Sequence, residues 1–438
     1  MRHILSPSAA LFHADCRDAL RQLPDNSIDS CVTDPPYALV SIVKRFGSPN
    51  AEPAKGNEAY MRASAGFMGK SWDTGECAMD PTFWVEVLRV LKPGAHLVAF
   101  GASRGYHRMA CAIEDAGFEI RDSLMWLYGS GFPKSLDVSK AIDKAAGAER
   151  EIVGPHPFQA LASSSRGASQ GATHGGESGG YNYSDVRNIT APATDAAREW
   201  ECWGTALKPA FEPIVLARKP LSEPTVAANV LKWRTGALNI GGCRVGTEVL
   251  PAQMAGQAKL GTFERDDMLT PERVGRWPAN VVHDGSDEVI GAFPNTNGSK
   301  RGVKDPNGSM GYHGGASGLP GVVGGYDGAG GSAARFFYSA KASKQDRNGS
   351  KHPTVKPISL MEWLCTLITP PGGTVLDPFA GSGTTGIAAQ NKGFQVVLCE
   401  REAEYVTDIK ARFAGSSPGE WRQYRNLRTA ETTWQQEQ

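Results

Sequence analysis

The feature that most constrains this chain is a short run near its end, Asp377-Pro378-Phe379-Ala380-Gly381-Ser382-Gly383-Thr384-Thr385-Gly386. It follows an apolar strand signal at Thr374 to Leu376 and opens a helical pattern at Gly383 to Asn391. The next strand, Phe394 to Cys399, ends at Glu400, nineteen residues after Gly381. Glycines at 381, 383 and 386 permit a tight turn and a close backbone approach by a nucleotide-like ligand. An acid at the end of the following strand can accept hydrogen bonds from two ribose hydroxyls. Glycines alone are weak; strand, loop, helix, strand and acid in register demand an α/β layer. No Gly-Lys-Ser/Thr follows, which removes a P-loop reading.

The same alternation occurs at the other end of the chain. Strands are predicted at Leu11 to Ala14, Ser30 to Thr33, His96 to Phe100 and Glu119 to Leu127. Helices are predicted at Cys16 to Leu23, Thr82 to Leu91 and Gly105 to Ala116, and later at Ile358 to Thr369 and Ala403 to Phe413. Two separate small sheets would each be hard to stabilise, so one mostly parallel sheet assembled from both ends is the economical expectation. Residues 1–150 and 335–420 then form the catalytic and cofactor-binding domain, and 151–334 a central insertion. Two Gly-rich stretches, 150–195 and 296–333, flank a block with Trp203, Trp233 and Trp277; both stretches read as flexible.

A second signature ends the strand at Ser30 to Thr33: Asp34-Pro35-Pro36-Tyr37. Two prolines stiffen the turn and remove N–H donors. The carbonyls of Asp34 and Pro35, with the Asp34 carboxylate, can then accept both hydrogens of an –NH2 group, and Tyr37 offers a face for a flat ring. A plain strand-ending Asp-Pro turn is the bland alternative, and the glycine loop elsewhere in the chain argues against it.

Asp34 to Tyr37 resembles motif IV of the amino methyltransferases, and Phe379, Gly381 and Gly383 resemble the core of their motif I. His352-Pro353-Thr354-Val355-Lys356-Pro357 resembles the segment that precedes motif I in one subgroup. Catalytic motif first and cofactor motif last is similar to the beta-class order of DNA amino methyltransferases. Gly129 to Lys134 and Lys208-Pro209-Ala210-Phe211-Glu212-Pro213 look like bacteriophage or prophage members.

The resemblance implies an α/β, doubly wound, mostly parallel sheet of the S-adenosylmethionine-dependent methyltransferase (Rossmann-like) type, circularly permuted and carrying a large central insertion for target recognition. It implies methyl transfer from S-adenosylmethionine to the exocyclic amine of a flipped base in double-stranded DNA. Adenine N6 is the expected target, because Asp before Pro-Pro-Tyr is commoner among adenine enzymes; cytosine N4 is the alternative. Asp34, Pro35, Pro36 and Tyr37 would hold the target, with Tyr37 stacked on the base. Asp377, Phe379, Gly381, Gly383, Glu400, Asp15, Thr354 and Lys356 would hold the cofactor, with Glu400 on the ribose, Asp15 at the adenine and Lys356 and Thr354 near the carboxylate. Asp15 reads equally well as the N-cap of the helix that starts at Cys16.

Composition supplies limits. Lys+Arg and Asp+Glu are equal at 46 each, so a DNA reading rests on local clusters. The strongest holds Arg335, Lys341, Lys344, Arg347, Lys351 and Lys356 against Asp346; Lys341, Lys344 and Arg347 are the expected phosphate contacts. A weaker one, Lys208, Arg218, Lys219, Lys232 and Arg234, reads equally as solvated surface. The eight cysteines form no CxxC pair, so no zinc site is expected, and several lie in apolar runs as reduced thiols would. The absence of an 18-residue apolar run or a leader-like N-terminus gives the expectation of a cytoplasmic protein without a membrane span. A homodimer is left open, and a restriction partner is not legible. The rival classes are a non-catalytic DNA-binding protein, which would need neither signature, an RNA or protein amide methyltransferase, and an NAD-dependent oxidoreductase.

Overall fold

The structure, a computed structural model, describes residues 1–37, 77–131, 135–154, 189–250, 253–254, 269–270, 273–296, 331–340, 346 and 355–415. Contacts divide the chain into two compact units. One comprises Met1–Pro53, Tyr60–Gly129 and Phe211–Gln438, and the other Ala54–Ala59 and Ser130–Ala210.

The first unit is built on a ten-stranded sheet. Its strands in chain order are β1 (Arg2–Ser6), β2 (Ala9–His13), β3 (Ile28–Thr33), β4 (Leu91–Phe100), β5 (Glu119–Leu127), β6 (Phe211–Arg218), β7 (Val281–His283), β8 (Tyr338–Ser339), β9 (Thr374–Asp377) and β10 (Gln395–Glu400). Their spatial order is β1-β2-β10-β9-β3-β4-β6-β5-β7-β8. Only β1, against β2, and β6, between β4 and β5, run antiparallel to the rest. At the centre β9 pairs parallel with β3, Val375 opposite Ser30 and Leu376 opposite Cys31. From β9 the chain continues to β10 on one side, and from β3 to β4 on the other. This reversal is the topological switch point, where loops from both strands leave the same carboxyl edge.

Alternation along the central strands shows why the sheet needs cover on both faces. Val32, Val98, Phe100, Val375 and Leu398 point into one cluster, shared with α4 (Ile358–Ile368), α5 (Thr384–Asn391) and α6 (Ala403–Gly415). Cys31, Leu97, Ala99 and Leu376 point into the other, shared with α1 (Cys16–Arg21), α2 (Pro81–Val90) and α3 (Tyr106–Asp115). Side chains two apart share a face, so strands buried on both sides read as continuous apolar runs. Pro81 at the first turn and the Asp80 carboxylate accepting from Thr82 N start α2 cleanly.

The sheet extends further into the chain than the partition at 150 and 335 allows. Strands β6 and β7 come from within 151–334, while the second unit covers Ser130–Ala210. Strand β4 begins at Leu91, five residues before the expected start at His96, and runs through Lys92-Pro93-Gly94, with Gly94 at φ +81°. In the second unit Asp143 is buried and accepts from Ala193 N, Thr194 N, Thr194 Oγ1 and Arg150, at 3.0, 3.0, 2.8 and 2.6 Å. Those donors hold its carboxyl down at about 2 against the opposing effect of burial. Both Gly-rich stretches lie largely outside the described residues. Among the described residues no helix is long and apolar enough to cross a membrane.

Candidate active site

Strand β3 delivers the Asp-Pro-Pro-Tyr turn, and β9 delivers the glycine loop beside it. The two are joined directly: Thr33 Oγ1 donates to Asp377 Oδ1 at 2.7 Å, across 344 residues of sequence. Asp377 also accepts from Phe379 N at 3.1 Å, which tightens the entry to the loop. Burial pushes the Asp377 carboxyl up to about 6, against the hydrogen bonds from Thr385, Thr33 and Phe379 N that pull it down. Phe379 packs on Phe83 of α2, ring centroids 5.1 Å apart.

Gly381 and Gly383 have φ +52° and +77°, the left-handed conformation that side chains disfavour. Gly383 also lacks room, since a Cβ there would lie 3.0 Å from Ile409 of α6. Gly386 serves packing: its Cβ would meet Leu398 of β10 and Phe413 of α6, each at 2.8 Å. The Glu400 carboxylate holds the loop, accepting from Gly381 N through Oε2 and from Glu402 N through Oε1, both at 2.8 Å. Burial drives Glu400 up to about 7, moderated by the Glu402, Gly381 and Arg401 N–H groups. Beneath the loop, the buried Arg412 donates to Ser382 O at 2.5 Å and to Thr384 Oγ1 at 3.2 Å. Asp15 ends the neighbouring strand β2 and caps α1, accepting from Arg17 N at 3.0 Å. Ala14 N donates to Glu400 O at 3.1 Å, so Asp15 and Glu400 share this edge.

The third component is an ion cluster around a buried lysine, its carboxylates half-buried. Lys356, 7% exposed, sits just before α4. Its ammonium reaches Asp34 Oδ2 at 2.8 Å, Glu212 Oε2 at 3.0 Å and Tyr37 OH at 2.9 Å. Tyr37 OH in turn donates to Glu212 Oε2 at 3.0 Å. The Phe100 ring, at the end of β4, lies 4.8 Å from the ammonium. Burial acts to lower the Lys356 ammonium, but Asp34 and Glu212 outweigh it and hold it above the ordinary lysine value. Burial, reinforced by the same carboxylates, keeps the Tyr37 phenol well above its usual value and so neutral. Asp34 Oδ1 is buried and has no hydrogen-bond partner among the described residues.

The structure therefore brings Asp34, Pro35, Pro36, Tyr37, Lys356, Asp377, Phe379, Gly381, Gly383, Glu400 and Asp15 to one sheet edge. Thr354, His352, Lys341, Lys344 and Arg347 lie outside the described residues. Lys356 does not contribute to an exposed basic face, and Arg335 is bound to Gly331 O, Ser332 O and Thr296 Oγ1, each at 2.7 Å. The weaker cluster is largely structural: Arg218 pairs with Glu119 at 2.5 Å, Lys219 holds Asn26 and Leu91 O at 2.8 and 2.7 Å, and Lys232 pairs with Glu223 at 2.6 Å. Sequence reasoning missed Glu212, Thr33 and Arg412. Glu212 lay inside Lys208 to Pro213, a hexapeptide noted for family likeness but given no role.

A doubly covered, mostly parallel sheet with a glycine loop and acid at its switch point is a doubly wound α/β architecture, and it fits the methyltransferase fold expected from the motifs. The family model for N6 and N4 methyltransferases, described as DNA methylase, matches residues 277–411. That span contains the glycine loop and Glu400. The Type II methyltransferase M2.DpnII of Streptococcus pneumoniae is 39% identical over 69 residues, 16% of this chain and 26% of the relative. M2.LlaDCHI of Lactococcus lactis subsp. cremoris is 38% identical over 69 residues, with the same coverage of 16% and 26%. The chain thus spans about a quarter of the length of these curated relatives. Among solved structures, the PvuII DNA methyltransferase (cytosine-N4-specific) is matched with a TM-score of 0.41 and 13% identity, over 94% of this chain and 88% of that one. The likeness to DNA amino methyltransferases read from the motifs is borne out; the bacteriophage type stays an expectation.

Proposed function

We propose that this protein is a DNA methyltransferase that moves a methyl group from S-adenosylmethionine to the exocyclic amine of a flipped base, with adenine N6 as the target. The observation that carries this reading is the junction of the two loops: β3 and β9 pair in parallel, and Thr33 binds Asp377 at 2.7 Å. Amine-binding and cofactor-binding chemistry thereby share one edge, as a reaction between their ligands requires.

The residues present fit the cofactor by their chemistry. Glu400 offers carboxylate oxygens to a ribose, and Asp377 offers negative charge to a cationic methionine portion. Gly381 and Gly383 leave the loop without side chains, and Asp15 stands at the adenine end. Bound there, S-adenosylmethionine supplies an electrophilic methyl group.

The chain's own task is to present the amine. Asp34 Oδ1 accepts one N–H and the Pro35 carbonyl accepts the other, which favours a pyramidal nitrogen whose lone pair is free to attack. The Tyr37 ring supports the base. A proton leaves the nitrogen after transfer, so no general base is needed before it. Lys341, Lys344 and Arg347 would bind phosphates, the central segments would read the recognition sequence, and the protein would act in the cytoplasm.

Expression in a bacterial host lacking DNA methylation, followed by single-molecule sequencing and nucleoside analysis, tests the proposal. N6-methyladenine in a fixed context is expected. N4-methylcytosine would overturn the target assignment, and no modified base, with calorimetry showing NAD bound in preference to S-adenosylmethionine, would overturn the whole reading.

A further inference from the structure

The ion cluster at the end of β3 contains more than amine recognition needs. A lysine ammonium has three N–H donors and no acceptor. All of those of Lys356 are matched, by Asp34 Oδ2, Glu212 Oε2 and Tyr37 OH at 2.8, 3.0 and 2.9 Å. The Tyr37 hydroxyl accepts from Lys356 and donates to Glu212, at 2.9 and 3.0 Å, so the ring of hydrogen bonds closes on itself. Nothing remains on this ammonium for a cofactor carboxylate, the role that sequence resemblance suggested.

The same closure leaves one atom over. Asp34 Oδ2 accepts from Lys356, while Asp34 Oδ1 is buried without a partner among the described residues. A buried carboxylate oxygen left unpaired is costly, and it persists where a ligand satisfies it. Charge points the same way. Two carboxylates face one ammonium, so formal negative charge exceeds positive here; the ammonium is buried, while Asp34 and Glu212 keep 22% and 19% of their side chains exposed. Among the described residues, the other titratable groups nearby are Tyr128, which faces Glu212 and Lys356, and Asp377, which faces Asp34. A donor that gains positive charge as it reacts is the ligand such a cluster favours, and an amine forming an N–C bond is one. Preorganised charge aimed at a developing cation lowers the barrier without first having to reorient.

We infer that Glu212 is a positioning residue for methyl transfer: acting through Lys356 and Tyr37, it fixes Asp34 with Oδ1 toward the target amine and supplies the net negative charge, and Lys356 serves this carboxylate pair instead of the cofactor. The inference rests on the DNA methyltransferase reading. Glu212 lies on the antiparallel strand β6, far in sequence from both signatures, and its carboxylate reaches Lys356 and Tyr37.

Glu212→Gln keeps the shape and removes the charge. Single-turnover methyl transfer at saturating DNA and S-adenosylmethionine should fall about ten- to a hundredfold. Dissociation constants for both ligands should stay within about twofold, a split that general loosening of the fold would not produce. In a double-mutant cycle with Lys356→Met, the Glu212→Gln effect should shrink, because the link that joins it to Asp34 through the ammonium is gone. If Lys356→Met does not give a cooperative thermal transition, Lys356→Arg replaces it; a slower rate with unchanged cofactor affinity is again expected. An unchanged rate in Glu212→Gln overturns the inference. So does a loss of cofactor affinity in the Lys356 variant that matches its loss of rate. Wild-type protein that methylates no DNA would instead bring down the underlying reading, and the inference with it.

Discussion

The Glu400 carboxyl is buried at the glycine loop, and its stability effect can be worked out with its sign. It ionises near 4.5 when the chain is unfolded and at about 7 in the fold, raised chiefly by burial. Between those values the folded protein binds the extra proton. Its contribution is therefore fully present below 4.5 and is lost as pH rises through 7. From pH 5.5 to 8 the expected loss is about 2 kcal/mol. The comparison that isolates it is Glu400→Gln, which cannot ionise. His96, lowered to about 3 by burial and then by Arg218 and Arg121, changes stability in the opposite direction below pH 6.5, but it is common to both proteins and cancels. Urea unfolding of each, free of cofactor, at pH 5.5 and 8 should show wild type losing about 2 kcal/mol more than the variant. Ribose hydroxyls that donate to Glu400 favour its ionised form. Cofactor affinity should therefore rise with pH in wild type by up to about thirtyfold more than in the variant, where Asp377 is the acid at the loop that still titrates in this range. Parallel stability profiles for the two proteins would refute the buried-carboxylate argument. Parallel cofactor affinities would refute the ribose contact.

Three further outcomes follow from the site. Asp34→Ala should cut methyl transfer by about 10²-fold or more while cofactor affinity, measured by calorimetry, stays nearly intact. Gly386→Ala should cost about 1–2 kcal/mol in urea unfolding, because overpacking against Leu398 and Phe413, each 2.8 Å from the new Cβ, outweighs the helical preference for alanine. Replacing Lys341, Lys344 and Arg347 together by Ala should flatten the salt dependence of DNA binding and spare cofactor affinity; an unchanged slope in a filter-binding titration would place the phosphates elsewhere.

Much of the site was legible because its parts sit where apolar runs stop. Strands β9 and β10 announce themselves by the apolar runs Val375-Leu376 and Val396 to Cys399 and end in Asp377 and Glu400, and β3 is followed directly by Asp34. Strand β6 was hidden by Glu212 and Pro213, residues that argue against a central strand. It is tolerated there because Pro213 lies past β4's last paired residue, Phe100, while Pro213 O still accepts from Gly101 N at 2.9 Å. Strands β7 and β8, three and two residues long, exist only through pairing with β5 and with each other. Lys356 looked in sequence like one more cation in a basic run. Burial and the two carboxylates that justify it come from β3 and β6, and no local pattern records a partner 144 or 322 residues away.

The acids at this edge also bear on the choice between methyl donor and nicotinamide, which the glycine loop alone does not make. Asp377, Glu400, Asp34 and Glu212 stand near the carboxyl ends of β9, β10 and β3 and at the entry to β6, and Lys356, the cation among them, is bound by Asp34 and Glu212. A pyrophosphate at the loop would therefore meet Asp377 without a counterion from this cluster. Two unit charges about 5 Å apart at an effective dielectric near 20 repel by about 3 kcal/mol, and a pyrophosphate carries more than one. Protonating Asp377 would relieve the clash, but at about 6 its carboxyl is mostly ionised at neutral pH. A sulfonium meets the opposite field, attracted where the pyrophosphate is repelled. The amine beside it finds a buried oxygen with no partner of its own. An edge that gathers Asp377, Glu400, Asp34 and Glu212 among the described residues suits ligands that donate hydrogen bonds or carry positive charge, which both reactants of the proposed methyl transfer do.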